Sequence, residues 1–281
     1  MQLLGWVHLL LNLVGLLCWL KWREEMLQST RHATGATLLS TLKRASRGRA
    51  NRWLYLGLLA GLILLRALGY WHIGSDVGWS PSLNLVAITI PFRSDWFSRM
   101  LLYSLLSCAV AIAQFYSCLV LVSAANRKVP DADLLQNQMR AHLGWVERLP
   151  ATVKLLLPFL AAGLLWLCLS PLLVKLGLLP ATPMERNLRL AAFIGLASML
   201  VWRYLIACVL LLHLVANYVY FGNAPFWTFI NLTARNLVKP ISWLPLHMGK
   251  FDGTPLIGAA IVLFLGEFLS SKLPKWYAHL P

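Results

Sequence analysis

Long uncharged runs alternate with short basic segments along the chain, and this alternation predicts its architecture. A transmembrane helix needs about 17–25 mostly apolar residues, so each run of that length with few charges is a candidate. Six runs qualify, and three of them contain one charged residue each. They are Leu3–Leu20, Trp53–Trp71, Met100–Ala125, Leu155–Val174, Leu190–Tyr220 and Pro255–Ser271. The pattern predicts an all-α polytopic membrane bundle of about six transmembrane helices.

Composition agrees with this prediction. Of the 281 residues, 59% are hydrophobic and 12% are charged, whereas soluble domains average about 45–50% and about 25%. A soluble protein of this length would have too little polar surface to cover its own core. The composition therefore excludes an ordinary soluble enzyme and a soluble nucleic-acid-binding domain.

The first apolar run lacks the features of a cleaved secretory signal. No basic residue precedes Leu3, and Leu20 is followed by Lys21-Trp22-Arg23 rather than by a small-residue cleavage site. We therefore expect this run to stay in the protein as its first membrane helix.

The basic residues predict an orientation. The chain has 25 Lys and Arg against 10 Asp and Glu, a formal net charge of +15. Sixteen of the 25 fall in the segments 21–52, 126–154 and 175–189, seven fall in the alternate segments, and two lie inside the apolar runs. Cytoplasmic loops of membrane proteins are rich in Lys and Arg. We therefore expect a multi-pass protein of the bacterial cytoplasmic membrane with both termini extracytoplasmic. Its basic loops would contact an anionic leaflet, and no nucleic-acid partner is expected.

Two polar segments each leave alternatives open. Residues 43–52 carry five basic residues, which suit either a lipid- or nucleic-acid-binding patch or an orienting flank before Trp53. In residues 81–97, Pro81 and Pro91 bracket an apolar part, Leu83–Ile90, that is too short to span a membrane. That segment suits an interfacial or re-entrant loop, or an ordered extracytoplasmic loop that packs on the helices.

The chain divides into three predicted regions. Residues 1–99 form an N-terminal membrane region with two spans, a basic cytoplasmic loop and the proline-bracketed loop. Residues 100–175 and 190–271 each form a helix pair around a linker that ends in proline, so the first is a degenerate repeat of the second. In the second linker, apolar positions between Phe226 and Lys239 share one helical face. This pattern predicts an amphipathic interfacial helix that Pro240 ends.

The second linker resembles the YggT (YlmG-like) family of small integral membrane proteins. In that family, an amphipathic segment ends in a basic-Pro-Ile pattern, and a Pro, a Gly and an Asp-x-Ser/Thr-Pro turn then lead into the next span. The matching positions here are Lys239, Pro240, Ile241, Pro245, Gly249, Asp252, Thr254 and Pro255. The turn also makes physical sense, since Asp252 or Thr254 can cap the helix and Pro suits its first position.

The resemblance covers residues 190–271 well and 100–175 weakly, and residues 1–99 have no counterpart in it. The first unit lacks the Asp-x-Thr-Pro turn, and position 250 is Lys where the family keeps a small or apolar residue. The resemblance implies a role in membrane organisation, division or nucleoid distribution, ion or osmotic homeostasis, or assembly of photosynthetic complexes. It implies no catalytic activity.

Candidate chemistry is sparse. All five cysteines lie in the apolar runs without a C-x-x-C pair, which suits small packing residues. The seven histidines show no metal-ligand spacing, and we predict no catalytic residue, metal site or cofactor. His213, deep in the fifth span, suits an interhelical hydrogen bond or, with a partner on another helix, a metal or haem ligand.

The charged residues inside the spans are the most informative. Arg66, Arg203 and Glu267 each cost roughly 2.5–3.5 kcal/mol at the centre of a membrane helix. Such residues usually face the bundle interior and pair, so we predict that Glu267 pairs with Arg203 or Arg66. Either a structural ion pair or an ion path would explain them.

Two function classes follow. The first is a non-enzymatic scaffold, organising or assembly factor that works through the linkers 126–154 and 221–254 and through contacts with other membrane proteins. The alternative is an ion or small-solute transporter or channel. The sequence does not predict the oligomeric state.

Overall fold

The structure is a computed structural model that describes residues 2–31, 38–77, 79–126, 134–219, 224–239, 247–248 and 251–279. Within those ranges, six helical spans are long and apolar enough to cross a membrane. They are Gly5–Leu27, Trp53–Gly74, Phe97–Ala125, Ala151–Lys175, Met184–Tyr218 and Thr254–Tyr277. The prediction of an all-α polytopic bundle with six spans is confirmed.

Nine α-helices and four short strands make up these ranges. The helices are α1 (Gln2–Arg31), α2 (Leu38–Val77), α3 (Phe97–Ala125), α4 (Leu134–Leu143), α5 (Ala151–Lys175), α6 (Met184–Met199), α7 (Trp202–Tyr218), α8 (Pro225–Val238) and α9 (Thr254–His279). The strands β1 (Ser82–Asn84) and β2 (Thr89–Pro91) pair with each other, as do β3 (His247–Met248) and β4 (Phe251–Asp252). A 3₁₀ helix, Gly144–Arg148, follows α4.

The chain forms two compact units. The first contains Met1–Leu83 and Ile90–Ala113, and the second contains Asn84–Thr89 and Gln114–Pro281. Helix α3 therefore contributes its first part to the first unit and its last part to the second.

In the first unit, α1 packs along α2. Gly15 of α1 allows close packing against α3, because a Cβ at this position would lie 3.1 Å from the sulfur of Cys108 in α3. Helix α2 is 40 residues long, so the basic segment 43–52 is helical and continues into the second span without a break. The proline-bracketed loop folds as the β1–β2 ribbon, whose Ile90 belongs to this unit and is fully buried.

In the second unit, α5 packs on α6, and α7 packs on both α8 and α9. The fifth span is interrupted at Leu200 and Val201, where α6 ends and α7 begins. At this break, the Arg203 amide donates to the Leu200 carbonyl and the Tyr204 amide donates to that of Val201. These two bonds satisfy both amides within the span, as a membrane interior requires.

Prolines mark where several helices begin. Pro150 and Pro183 are the N-cap residues of α5 and α6, both with extended backbone, and Pro225 occupies the first position of α8. Helix α8 ends at Val238, which agrees within one residue with the amphipathic helix predicted before Pro240. Helix α9 begins at Thr254, so Pro255 lies in its first turn.

Candidate functional site

Six polar side chains from three membrane spans meet in the first unit, around Arg66. They come in pairs four residues apart: His8 and Asn12 from α1, Arg66 and Tyr70 from α2, and Tyr103 and Ser107 from α3. Residues at this spacing lie on the same face of a helix. We call this set the Arg66 cluster.

The Arg66 guanidinium is the hub of the cluster. Its Nη1 donates to the Asn12 Oδ1 at 2.7 Å, and its Nη2 donates to the Ser107 Oγ at 3.1 Å and to the His8 ring. The guanidinium carbon lies 5.3 Å from the Tyr70 ring centroid and 5.7 Å from that of Tyr103, within cation–π range. Every partner that the structure describes for Arg66 is therefore uncharged.

The cluster is connected beyond Arg66. The Asn12 Nδ2 donates to the Ser107 Oγ at 3.1 Å, and that oxygen lies 3.1 Å from the His8 Nε2. The hydroxyls of Tyr70 and Tyr103 lie 3.3 Å from ring nitrogens of His8. Because hydroxyl hydrogens rotate to suit their surroundings, these groups can exchange partners without moving their heavy atoms.

The cluster lies inside the apolar span, below an aromatic cover. Arg66 is eight residues from Gly74, the end of its span, which is about 12 Å along the helix axis. Beyond that end, the Trp79 ring packs 5.3 Å from Tyr70, and the Phe92 ring packs 5.4 Å from Tyr103. Phe92 follows the β1–β2 ribbon and is fully buried, so the ribbon holds an aromatic layer over that end of the cluster.

The other two intramembrane charges meet in the second unit. The Arg203 Nη1 lies 3.2 Å from a carboxylate oxygen of Glu267 and donates to the Ser270 Oγ at 3.1 Å. Gly266 makes room for the contact, because a Cβ there would overlap the Arg203 side chain. The side chain of Arg203 is 12% exposed and that of Glu267 is 75% exposed. The pair therefore lies on an outer face formed by α7 and α9.

The two linkers contact each other in the second unit through buried polar groups. Helix α4 packs on α8. The Asn126 Nδ2 donates to the Thr233 Oγ1 at 2.7 Å, and its Oδ1 accepts from the Asn236 Nδ2 at 3.0 Å. The Gln136 Nε2 donates to the Asn126 carbonyl at 3.1 Å. Asn126, Thr233 and Gln136 are each at most 1% exposed. We call α4, the 3₁₀ helix and α8 the linker platform.

A buried ion pair ties the platform to α5. The Lys154 Nζ lies 3.0 Å from a Glu147 carboxylate oxygen and donates to the Ser123 Oγ at 2.8 Å, while the Ser123 hydroxyl also donates to Glu147. Lys154 is 1% exposed. The Glu147 carboxylate thus balances the charge of a lysine that has almost no access to solvent.

His213, which the sequence offered as a hydrogen-bonding residue or a metal ligand, forms a hydrogen bond between two helices. The His213 Nδ1 donates to the Asn231 Oδ1 at 2.8 Å, which joins α7 to α8. Among the residues that the structure describes, no three His, Cys, Asp or Glu side chains are placed to hold a metal ion.

The structure describes four of the eight positions on which the YggT-like resemblance rests. Lys239 is exposed just after α8, Asp252 lies in β4, and Thr254 and Pro255 are buried at the start of α9. Pro240, Ile241, Pro245 and Gly249 lie outside the described residues.

Sequence reasoning selected Arg66 but missed the rest of its cluster. The available signal was the repeated i, i+4 spacing of polar residues within three apolar spans, at positions 8 and 12, 66 and 70, and 103 and 107. Each pair taken alone is compatible with a helix end or an isolated interhelical hydrogen bond. Their functional interest comes from their convergence on a single charge.

No family model, curated protein or solved structure matches the chain. The YggT-like resemblance therefore stays a prediction, and the fold and the geometry of its polar groups carry the functional argument.

Proposed function

We propose that this multi-pass membrane protein is a non-enzymatic scaffold of YggT-like type that organises or assembles other proteins in the membrane. The observation that carries the proposal is the exposure of Glu267 on the outer face of α7 and α9. Glu267 lies ten residues from Tyr277, the end of its span, which is about 15 Å along the axis.

An exposed carboxylate at that depth needs a covering surface. A charged side chain at the centre of a membrane helix costs about 2.5–3.5 kcal/mol, and such residues usually face a protein interior. Arg203 balances the charge of Glu267, yet 75% of the glutamate side chain is uncovered. A neighbouring membrane helix with a polar side chain at the same depth would satisfy the remaining carboxylate lone pairs.

The linker platform gives a second argument for a scaffold. Its buried network joins both linkers into one folded surface. Aromatic and basic side chains are exposed on it or directly after it, at Trp145, Arg148, Phe226, Arg235 and Lys239, beside the neutral side chains of Asn137, Gln138 and Thr228. Aromatic and basic residues together suit contact with an anionic leaflet, so the platform would anchor the bundle while the Glu267 face binds a partner.

Photo-crosslinking from the membrane-facing surface tests the proposal. A crosslinking amino acid replaces Phe264, which is 72% exposed and one helical turn from Glu267. The matched control replaces Leu164 of α5, which is 62% exposed. We expect a discrete adduct with one membrane protein from position 264 and none from position 164.

A charge-deleted variant decides whether such an adduct depends on the ion pair. The double substitution Arg203→Met with Glu267→Leu removes both charges and leaves neither unpaired. We expect it to fold and to lose the adduct. The scaffold proposal is overturned by equal adducts at both positions, or by an adduct that persists in the double variant.

Ion or small-solute transport is the second candidate, and the Arg66 cluster favours it. A polar group of this size inside an apolar span is typical of proteins that handle ions. Flux in proteoliposomes distinguishes the two functions. The transport function is favoured if the protein shows robust flux that Arg66→Gln abolishes and gives no adduct from position 264. That result would overturn the scaffold proposal.

A further inference from the structure

We propose that the Arg66 cluster binds a small, singly charged anion, for which chloride is the simplest representative. This goes beyond the scaffold function and does not depend on it. The cluster lies in the first unit, whereas the scaffold argument rests on the Glu267 face and the linker platform of the second.

Charge balance is the first argument. Arg66 is 6% exposed within a membrane span, and its described partners are an amide, hydroxyls, aromatic rings and a histidine. None of these supplies a negative charge. An unbalanced buried charge is costly, and proteins either pair it or change its protonation state. Arginine remains protonated in proteins, which leaves an external anion as its counter-charge.

Two other cations with little exposure, Lys154 and Arg203, show the contrast among the described residues. Lys154 has the Glu147 carboxylate at 3.0 Å, and Arg203 has that of Glu267 at 3.2 Å. In both cases, a carboxylate of the chain balances the positive charge. The Arg66 cluster has six polar members without such a carboxylate, so its missing component is a ligand rather than a side chain.

The hydrogen-bonding groups fit an anion. The Arg66 Nε is buried and has no hydrogen-bond partner among the described residues. Because Arg66 donates to the His8 ring, the nitrogen that accepts must be unprotonated, which leaves the other nitrogen as a donor in the neutral tautomer. The hydroxyls of Ser107, Tyr70 and Tyr103 can turn to donate. One guanidinium N–H and the hydroxyls of the cluster can therefore donate to an anion.

Access and size point to a small ligand. Arg66, Tyr70, Tyr103 and Ser107 are all at most 6% exposed. His8 and the neighbouring Asn12 on α1 are only partly buried, so they form the accessible edge of the cluster. The aromatic layer of Trp79 and Phe92 covers the end nearest the ribbon. One positive charge in a crowded site matches a monovalent anion of halide size, whereas a dianion would leave excess negative charge.

Chloride binding can be measured directly on the full-length protein in detergent micelles. Chloride is titrated against gluconate at constant ionic strength, and binding is followed by broadening of the chloride-35 NMR line. We expect broadening that saturates with chloride and is displaced by nitrate. Thermal unfolding gives a second readout, because a ligand at about 100 times its Kd raises the folded-to-unfolded ratio about 100-fold.

Two substitutions locate the site. Asn12→Asp is isosteric and places a carboxylate on the atom that accepts from the Arg66 Nη1 at 2.7 Å. It supplies the missing counter-charge, so we expect chloride binding to weaken at least tenfold while the protein unfolds at a higher temperature without chloride. Arg66→Gln removes the charge itself and should also abolish the saturable broadening.

Asn187→Asp is the matched control. Asn187 is an amide in the second unit that accepts from the Trp166 Nε1 at 2.9 Å and donates to the Ser170 Oγ. We expect this variant to bind chloride as the wild-type protein does. The proposal is overturned if wild-type protein shows no saturable broadening, if Asn12→Asp retains wild-type chloride binding, or if Asn187→Asp loses it as well.

Discussion

The two units treat buried charge in different ways. In the second unit, Lys154 and Arg203 each contact a carboxylate of the chain, at 3.0 and 3.2 Å. In the first unit, Arg66 contacts only neutral groups among the described residues, although it donates to three of them, Asn12, Ser107 and His8. The two cations of the second unit are thus each paired with a carboxylate, whereas Arg66 is a positive charge at the centre of a neutral polar cluster.

This difference distinguishes charges that stabilise the fold from a charge that can bind a ligand. An ion pair between two fixed side chains sets helix register and leaves little for a ligand to gain. A charge that contacts only neutral dipoles is held in position but is not neutralised. An external anion can therefore bind there and neutralise it. The same residue type therefore indicates different roles, and its counter-charge, rather than its burial, distinguishes them.

Removing the carboxylate of the Lys154–Glu147 pair should cause the largest loss of unfolding free energy. Glu147→Gln leaves Lys154 buried without its counter-charge, and breaking a buried pair in this way costs about 3–5 kcal/mol. We expect a loss of unfolding free energy near the lower end of that range, because Glu147 is partly exposed. Reversible unfolding in mixed micelles measures it.

The exposed pair Glu185–Arg189 gives the control. It spans 3.8 Å on the surface of α6, with the Glu185 side chain 87% exposed. Glu185→Gln should change the unfolding free energy by less than about 1 kcal/mol, since surface pairs contribute little. Equal losses in Glu147→Gln and Glu185→Gln would contradict the view that the second unit depends on internal charge balance.

The Arg203–Glu267 pair should show a smaller effect of the same kind. Arg203→Met leaves Glu267 on the outer face without its cation, and we expect a cost of about 2–3 kcal/mol on the membrane scale. Adding Glu267→Leu should restore most of that loss. The double-variant cycle on unfolding free energy checks this, and strictly additive losses would show that the two charges do not interact.

The sequence predicted the spans well because a long apolar run is itself the physical requirement for crossing a membrane. Charged residues within such runs are equally conspicuous, so Arg66, Arg203 and Glu267 could be selected without a structure. The amphipathic helix in the second linker was also predictable, because the period of its apolar positions and Pro240 determine its face and its end.

The neutral members of the Arg66 cluster were not predictable in the same way. His8, Asn12 and Ser107 cost far less in a membrane span than a charge, so their presence alone signals little. Which helix faces meet is decided by packing, for example at Gly15, and not by any residue pattern within one span. The contact between the two linkers depends similarly on Asn126, whose buried amide joins residues more than 100 positions apart.

The fit between α2 and the segment that follows the ribbon should be sensitive to added volume. A Cβ at position 74 would overlap the Ser94 side chain, whereas a Cβ at position 69 meets nothing within 4 Å. We expect Gly74→Ala to cost about 1–3 kcal/mol, as overpacked sites do. Gly69→Ala should be neutral or slightly stabilising, since alanine is the better helix former. Thermal unfolding of both variants tests whether the aromatic cover over the Arg66 cluster is tightly packed, and equal unfolding temperatures would contradict it.

The smallest effect distinguishes a shared network from single bonds. Tyr103→Phe removes a hydroxyl that lies 3.3 Å from the His8 ring, but His8 keeps contacts with Ser107 and Arg66. We expect a loss below about 0.5 kcal/mol, because the network can redistribute its donors. Trp202→Phe in the second unit removes an indole N–H that donates to the Ser117 Oγ at 2.8 Å and to the Ser117 carbonyl at 3.1 Å, and one donor of this kind contributes about 1 kcal/mol. A larger loss from Tyr103→Phe than from Trp202→Phe would mean that the cluster is a rigid structural network, so its hydroxyls would not be free to turn toward an anion.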